Sequence, residues 1–107
     1  MGYRRARARA RYTNGRVTLL AGSTISAPVH ASLSDALRDL RRDLRRKGKL
    51  VEVSPDLFRL DGIHTFGSPS GAAQFVAGAS VSGNRDWKVA GKGISLGDWL
   101  SQKGARD

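Results

Sequence analysis

The dipeptide Asn14-Gly15 constrains the fold of this chain more than any other feature of its sequence. A two-residue hairpin loop of type I′ needs positive φ at both central residues, and Asn followed by Gly meets that need at little cost. With this dipeptide as the loop, Thr13 pairs with Arg16, and the pairing continues outwards to Arg9 with Leu20. The sequence therefore predicts an antiparallel hairpin with a defined register.

This register sorts the side chains of the hairpin onto two unlike faces. One face carries the apolar set Ala8, Ala10, Tyr12, Val17, Leu19 and Ala21. The other carries Arg7, Arg9, Arg11, Thr13, Arg16 and Thr18, with Leu20 as its one apolar member. A shift of one residue would destroy this sorting. We therefore expect a ladder of arginines on a solvent face, which serves either to contact an anionic partner or to protect an exposed edge from aggregation.

A second basic segment is predicted to form a helix. Its apolar stripe consists of Leu33, Ala36, Leu37, Leu40 and Leu44. Ser32 with Asp35 predicts the start as a capping box, and Gly48 predicts the end. One flank of the stripe carries Arg38, Arg41, Arg42 and Arg45; the other carries Asp35, Asp39, Asp43 and Arg46. We expect the basic flank to face phosphates, and the alternative is an ordinary surface helix held by local ion pairs such as Asp43 with Lys47.

The net charge of +10 comes entirely from these two segments. Residues 1–16 hold six arginines and no acid, and residues 38–49 hold seven basic against two acidic residues. The rest of the chain has one more acid than base. Such a local excess indicates an anionic partner, with nucleic acid first and an anionic membrane surface second.

Catalytic and metal chemistry find little support in the residues. The chain has no cysteine, and its two histidines, His30 and His64, do not form a metal-binding spacing. The segment Gly91-Lys92-Gly93 lacks the hydroxyl residue of a phosphate-binding loop and reads as a turn. No apolar run approaches the roughly 20 residues of a membrane span, and no secretory leader is present. We expect a cytoplasmic protein without cofactor, metal or enzymatic activity.

The remaining pattern predicts a single small α+β domain with antiparallel hairpins packed against three helices. A second hairpin joins residues 50–53 to 57–60, and residues 63–66 are extended. A second helix begins at Ser68-Pro69, and a third is capped by Ser95 with Asp98, while Ile94 staples onto Trp99. The predicted domain spans residues 6–104, between a basic N-terminal end at 1–5 and a tail at 105–107.

Several short segments follow one another in a recognisable order, namely LLAGST at 19–24, GKLVE at 48–52, FGSPSGAA at 66–73, GAS at 78–80 and NRDWK at 84–88. With this ordered set, the chain resembles the small bacterial domain of unknown function found at the C-terminus of many GIY-YIG nuclease-like proteins. That domain is in turn similar to the RAMA (restriction enzyme and adenine methylase associated) domain. The likeness covers residues 6–100 and departs from the family pattern after Asn84, where Arg85 and Asp86 replace Gly and an aromatic residue.

The resemblance implies a module that reads DNA, including methylated adenine, in a restriction or methylation setting. The motif residues carried over by position are Ser68, Pro69, Ser70, Asn84, Trp87 and Lys88. From the residues themselves, Trp87 either stacks on a base or anchors the core, and Ser68 and Ser70 are residues of a helix start first.

We therefore expect a non-catalytic module that binds nucleic acid, with double-stranded DNA contacted through its phosphates. The expected contact residues are Arg7, Arg9, Arg11, Arg38, Arg41, Arg42 and Arg45, followed by Ser68, Ser70, Asn84, Trp87 and Lys88. The alternative is a protein-interaction module that couples to a nuclease or methylase without touching DNA, its arginines serving solubility or an acidic partner.

Overall fold

A computed structural model of the protein describes residues 1–104, apart from the side chains at positions 84 and 103. The predicted tail at 105–107 lies outside the described residues. The strands of the described chain are β1 (Gly2–Tyr3), β2 (Ala6–Arg7), β3 (Ala10–Thr13), β4 (Arg16–Leu19), β5 (Thr24–Ser26), β6 (Leu50–Ser54), β7 (Leu57–Leu60) and β8 (His64–Phe66). Its helices are α1 (Asp35–Arg46), α2 (Pro69–Ala77), the one-turn α3 (Gly83–Asp86) and α4 (Leu96–Gly104).

The strands form three small antiparallel sheets, so the predicted α+β class with antiparallel hairpins is confirmed. Strands β1 and β2 pair alone, and the other two sheets have the orders β3-β4-β8 and β5-β7-β6. Three helices of nine residues or more accompany them, with α3 as an additional single turn. None of the helices within residues 1–104 is long and apolar enough to span a bilayer.

The first predicted hairpin is present in the predicted register. Asn14 and Gly15 have φ of 49° and 84°, and the pairs run from Thr13 with Arg16 to Ala10 with Leu19. Ala8, Val17 and Leu19 are buried as expected. Ala21 is exposed, contrary to prediction, because β4 ends at Leu19 and the chain then turns at Gly22, whose φ is 89°.

The basic end predicted at residues 1–5 is part of the folded domain. Gly2 pairs with Arg7 and Tyr3 with Ala6, and Arg4 turns the chain between them with a φ of 52°. Ala6 is fully buried and belongs to the main core. This tight hairpin carries no alternation of apolar and polar residues, so the sequence pattern did not predict it.

The N-cap of helix α1 lies two residues later in the chain than predicted. Ser34 is the N-cap, and its hydroxyl accepts a hydrogen bond from the Leu37 amide at 3.3 Å. The Ser32 hydroxyl instead lies 2.8 Å from His30 Nδ1 and accepts the Ser80 amide at 3.0 Å. The prediction of Ser32 as the cap is wrong because its hydroxyl is committed to contacts outside the helix.

Helix α2 lies at the centre of the packing. Ser68 caps it as predicted by accepting the Gly71 amide at 3.1 Å, and Pro69 is its first residue. Its alanines, with Phe75 and Val76, are buried, and the helix contacts β4, β5, β8, α1 and α3. The small side chains permit this close approach on several sides.

The second predicted hairpin and the last helix are also present. Strands β6 and β7 pair antiparallel with a bulge between Glu52 and Ser54. Ser95 accepts the Asp98 amide at 3.1 Å at the start of α4. The turn at residues 91–93 reverses the direction of the chain, so that Lys88 and Ser95 form an isolated antiparallel β-bridge. Beside it, the Leu96 amide donates to the Trp87 carbonyl at 2.7 Å.

Candidate nucleic-acid interface

The open face of the β3-β4-β8 sheet presents the arginine ladder. Arg9, Arg11 and Arg16 are exposed there, next to a hydrogen bond of 2.8 Å between the hydroxyls of Thr18 and Thr65. The opposite face packs on α2 through β4 and β8. The ladder therefore consists of exposed cations on the solvent side of a sheet whose other side is held in the core.

Arg7, predicted on the same face of the hairpin as the ladder, lies instead in β2, outside the β3-β4-β8 sheet, because β2 pairs with β1, and its side chain is held by local backbone. Its Nη1 donates to the carbonyls of Arg4 at 2.9 Å and Ala6 at 2.8 Å. Its own amide donates to the Thr24 hydroxyl at 2.8 Å, which joins β2 to β5. The guanidinium is exposed while its position is fixed, which is the condition for contacting an anion without further ordering.

An open groove of about 590 Å³ runs beside α1, and we call it the arginine groove. Its lining residues are Arg38, Arg41, Arg42, Arg45 and Arg46 of α1, with Ala27, Val29 and Phe58 opposite. No acidic residue of the described chain lines it. Arg46, which helical geometry alone assigned to the acidic flank, thus joins the basic set.

The groove arginines are oriented by different contacts. The Arg45 guanidinium lies over the Phe58 ring, 4.6 Å from its centroid. Arg38 donates from Nε to the Leu33 carbonyl at 3.0 Å and from Nη2 to the His30 carbonyl at 2.8 Å. Stacking and backbone bonds of this kind preorganise guanidinium groups for phosphate.

Arg42 also has a local partner, since it pairs with Asp39 at 2.9 Å. Both side chains of this pair are more than 60 % exposed. An exposed pair of this kind contributes about 0–1 kcal/mol, so a phosphate can displace the carboxylate at little cost.

Arg41 corrects the prediction that all four flank arginines are available to a ligand. The residue is only 4 % exposed. It donates from Nη1 to the Ser26 carbonyl at 2.8 Å and from Nη2 to the Phe75 carbonyl. Burial lowers the pKa of its guanidinium to about 10. Arg41 therefore holds α1, β5 and the end of α2 together beneath the groove, and we remove it from the proposed contact set.

Two further depressions connect the groove to the N-terminal arginines. The first, of about 180 Å³, is lined by Arg4, Pro28 and Val29, among others; the second, of about 620 Å³, is lined by Arg4, Arg7 and Arg9. Val29 lines both the groove and the first depression, and Arg4 lines both depressions, so neighbouring concavities share a lining residue. We call this set of concavities the arginine band, and its members are Arg4, Arg7, Arg9, Arg38, Arg42, Arg45 and Arg46.

The motif residues carried over by the resemblance lie together around the start of α2. The Ser68 hydroxyl caps that helix, and the Ser70 hydroxyl accepts the Gly83 amide at 3.3 Å. A Cβ at Gly83 would lie 2.2 Å from the Pro69 carbonyl carbon, so only glycine permits this approach. The Ser70 hydroxyl thus joins α2 to α3, whereas the Ser68 hydroxyl caps α2, and both hydroxyls are used within the fold.

Trp87 and Lys88 follow α3 and differ in exposure. Trp87 is 6 % exposed and its indole N–H donates to the Pro69 carbonyl at 3.0 Å, which fits a core anchor. Lys88 is exposed, and its ammonium donates to the Arg85 carbonyl at 3.1 Å. The backbone of Asn84 lies in α3, and its side chain is outside the described residues.

The two histidines serve local structure. His30 Nδ1 bonds Ser32, while the half-buried His64 ring packs edge-on against Phe66 with centroids 4.9 Å apart. Burial lowers the pKa of His64. Within residues 1–104, no group of three or more His, Asp or Glu side chains is arranged to hold a metal ion.

One comparison with known protein families found a match that covers nearly all of the described residues. A family model described as a domain of unknown function, DUF4357, matches residues 1–100. No curated protein and no solved structure matches the chain. The matched range includes the β1–β2 hairpin as well as the arginine groove.

Proposed function

The chain belongs to the DUF4357 family of domains of unknown function, and for this member we propose a non-catalytic role in binding nucleic acid, double-stranded DNA first, through phosphate contacts. The observation that carries the proposal is the arginine groove, a concave surface whose lining, in the part of the chain that the structure describes, has five arginines and no acid. A cleft lined by one sign of charge concentrates the field and raises the local concentration of an anionic ligand.

The repetition of arginines, rather than the chemistry of one guanidinium, favours a polyanion over carboxylates scattered on a protein surface. A guanidinium offers a planar fork of donors that matches two oxygens of a phosphate or of a carboxylate. The arginine band repeats this group along adjoining concavities, and a duplex repeats its charge at about one per 1.7 Å of axis. A long, regular polyanion therefore fits the band better than a single small anion.

Salt-dependent binding to a labelled DNA duplex tests the proposal. Each neutralised phosphate releases counterions and adds about 0.9 to the slope of log affinity against log salt concentration. Fluorescence anisotropy across several salt concentrations should give a steep slope, corresponding to several phosphates. An absence of binding at low salt would overturn the proposal. In that case the alternative, a protein-interaction module that couples to a nuclease or methylase, would take its place.

The setting we propose for this binding is restriction or methylation of DNA. It rests on the likeness to domains attached to GIY-YIG nuclease-like proteins and to the RAMA domain, so the protein partners proposed are a nuclease or a methylase in the cytoplasm. Recognition of modified DNA is a further layer. Equal affinity for adenine-methylated and unmethylated duplexes of one sequence would remove that layer and leave the phosphate binding intact.

A further inference from the structure

A second concave site, built from aromatic residues, lies at the edge of the arginine ladder. It has a volume of about 210 Å³ and lies between the β3–β4 hairpin, the segment after α3, and α4. Its walls are Tyr12, Trp87 and Trp99, with Ala10, Val17, Val89, Ala90 and Leu96 between them, and Arg11 and Lys88 as its cations. We call it the aromatic pocket. Among residues 1–104, no acidic side chain lines it.

The aromatic side chains of the pocket are fixed by different contacts. Tyr12 and Trp99 pack edge to face, with ring centroids 6.4 Å apart and planes at 89°. Trp87 forms the floor, because its ring is buried and its N–H is bonded to Pro69. Tyr12 and Trp99 are only partly buried. The pocket thus combines a rigid base with two partly exposed rings that stand at right angles to each other.

The size and lining of the pocket indicate a planar ring that is attached to a negatively charged group such as a phosphate. The volume is below the roughly 300–1,000 Å³ of pockets for drug-sized ligands, so it suits one ring system. Aromatic walls stack on any nucleobase, since every base has a π-face. Arg11 and Lys88 are the basic residues of the described lining and supply the positive charge for the phosphate attached to such a base.

Arg11 joins this pocket to the surface already described. It lies on the arginine ladder next to Arg9, and Arg9 belongs to the arginine band. A nucleic-acid strand held by the band therefore passes close to the pocket. A base stacked inside a closed duplex is not available to such a site, whereas an unpaired base is.

We propose that the aromatic pocket takes one unpaired nucleobase from the nucleic acid that the arginine band holds, an inference that rests on the proposed function. The base stacks on one of the perpendicular Tyr12 and Trp99 rings and meets the other edge-on, over the Trp87 floor, and its phosphate pairs with Arg11 or Lys88. The phosphate contacts of the band supply general affinity, and the pocket adds a preference for strands in which a base is free.

The two tryptophans of the chain provide a direct readout. The sequence contains only Trp87 and Trp99, and both line the pocket, so all tryptophan emission reports on it. The probes are a labelled 12-nucleotide oligothymidylate and an abasic oligonucleotide of the same length and label. Anisotropy measures binding through the phosphates, and tryptophan fluorescence measures stacking in the pocket.

The inference predicts that both oligonucleotides bind and that only the oligothymidylate quenches tryptophan emission. The oligothymidylate should also bind at least about fivefold more tightly, because one stacked base adds to its affinity. Equal affinity and equal tryptophan fluorescence with the oligothymidylate and the abasic oligonucleotide would contradict base binding in the pocket, while the proposed phosphate binding would remain supported. If neither oligonucleotide bound at low salt, the proposed function itself would fail, and the pocket inference with it.

Two variants of the pocket and a matched control keep the test independent of folding. Tyr12→Leu and Trp99→Leu should each reduce the preference for oligothymidylate over the abasic strand while both strands still bind. Tyr3→Leu changes the other tyrosine of the chain, which lies outside the pocket, and should leave this preference unchanged. An unchanged preference in both pocket variants would contradict the proposed stacking.

A last comparison distinguishes the source of the base. The oligothymidylate, a closed duplex and the same duplex with one bulged thymidine are compared for quenching. Quenching by the single strand and the bulged duplex, but not by the closed one, means that the pocket takes a base that is already unpaired. Quenching by the closed duplex as well means that the protein extracts the base itself.

Discussion

Arg41 occupies a position where helical spacing favours an apolar residue. It lies four residues after Leu37 and three before Leu44, within the stripe that α1 turns towards the core. Its charge faces the Ser26 and Phe75 carbonyls, and the latter belongs to the C-terminal turn of α2, where the helix dipole is negative. A cation at this place satisfies a helix end that would otherwise be buried without partners.

The Arg41→Met substitution tests this role. Methionine can occupy much of the same space but leaves the two buried carbonyls without donors, so we expect the free energy of unfolding to fall by about 3 kcal/mol. Urea denaturation measures it. Arg42→Met is the matched control, since that exposed side chain should change stability by about 0.5 kcal/mol at most. A loss below 1 kcal/mol for Arg41→Met would contradict an internal capping role.

Gly78 shows how closely the chain approaches this arginine. It ends α2 with a φ of 70°, and a Cβ there would lie 2.5 Å from the Pro28 carbonyl oxygen and 3.1 Å from Arg41 Nη2. Gly48 also has positive φ, at 74°, but open space around its Cβ position.

The substitutions Gly78→Ala and Gly48→Ala separate the free-energy cost of a left-handed backbone conformation from the cost of the steric clash at Gly78. Gly48→Ala carries only the conformational penalty of an L-residue in the left-handed region, about 1–2 kcal/mol. Gly78→Ala adds the clash with Pro28 and should destabilise the protein by clearly more. Thermal and urea unfolding of both variants give the comparison, and equal losses would show that the contact at Gly78 relaxes freely.

At the scale of elements, local sequence signals predicted an element correctly where no second residue nearby offered the same signal. The β3–β4 register followed from one dipeptide and from period-two sorting, and the start of α2 followed from Ser68-Pro69. The start of α1 did not, because Ser32 and Ser34 both precede the helix, and the local contact of Ser32 with His30 and its tertiary contact with Ser80 decide between them.

The two serines before α1 make the cap assignment testable by amide hydrogen exchange. Ser34→Ala should speed exchange of the Leu37 amide and reduce stability by about 1 kcal/mol, because it removes the N-cap. Ser32→Ala should instead speed exchange at Ser80 and leave the Leu37 amide protected. The opposite pattern would restore Ser32 as the cap.

At the scale of the whole molecule, the sequence located two basic segments but not their relation. The N-terminal arginines and those of α1 become neighbours through the turn at Arg4 and the segment at Pro28-Val29, which join their concavities. The same packing buries Arg41 and makes Arg46 part of the groove lining. Helical spacing places Arg41 beside the apolar stripe, but its burial and the position of Arg46 in the groove depend on contacts distant in sequence, which charge counts do not include.

The central claim is that phosphates bind at the arginine groove rather than to positive charge in general. Two double variants with equal loss of charge separate these possibilities. Arg42→Gln with Arg46→Gln alters the groove, whereas Arg59→Gln with Arg85→Gln alters exposed arginines that do not line it. Each variant is titrated with the labelled duplex at several salt concentrations.

The groove variant should bind the duplex more weakly, and its log–log salt slope should be smaller by about 1.8, since two phosphate contacts are lost. The control variant should keep the wild-type slope. Equal slopes and equal affinities for the two variants would contradict the account, because binding would then follow net charge and not the groove.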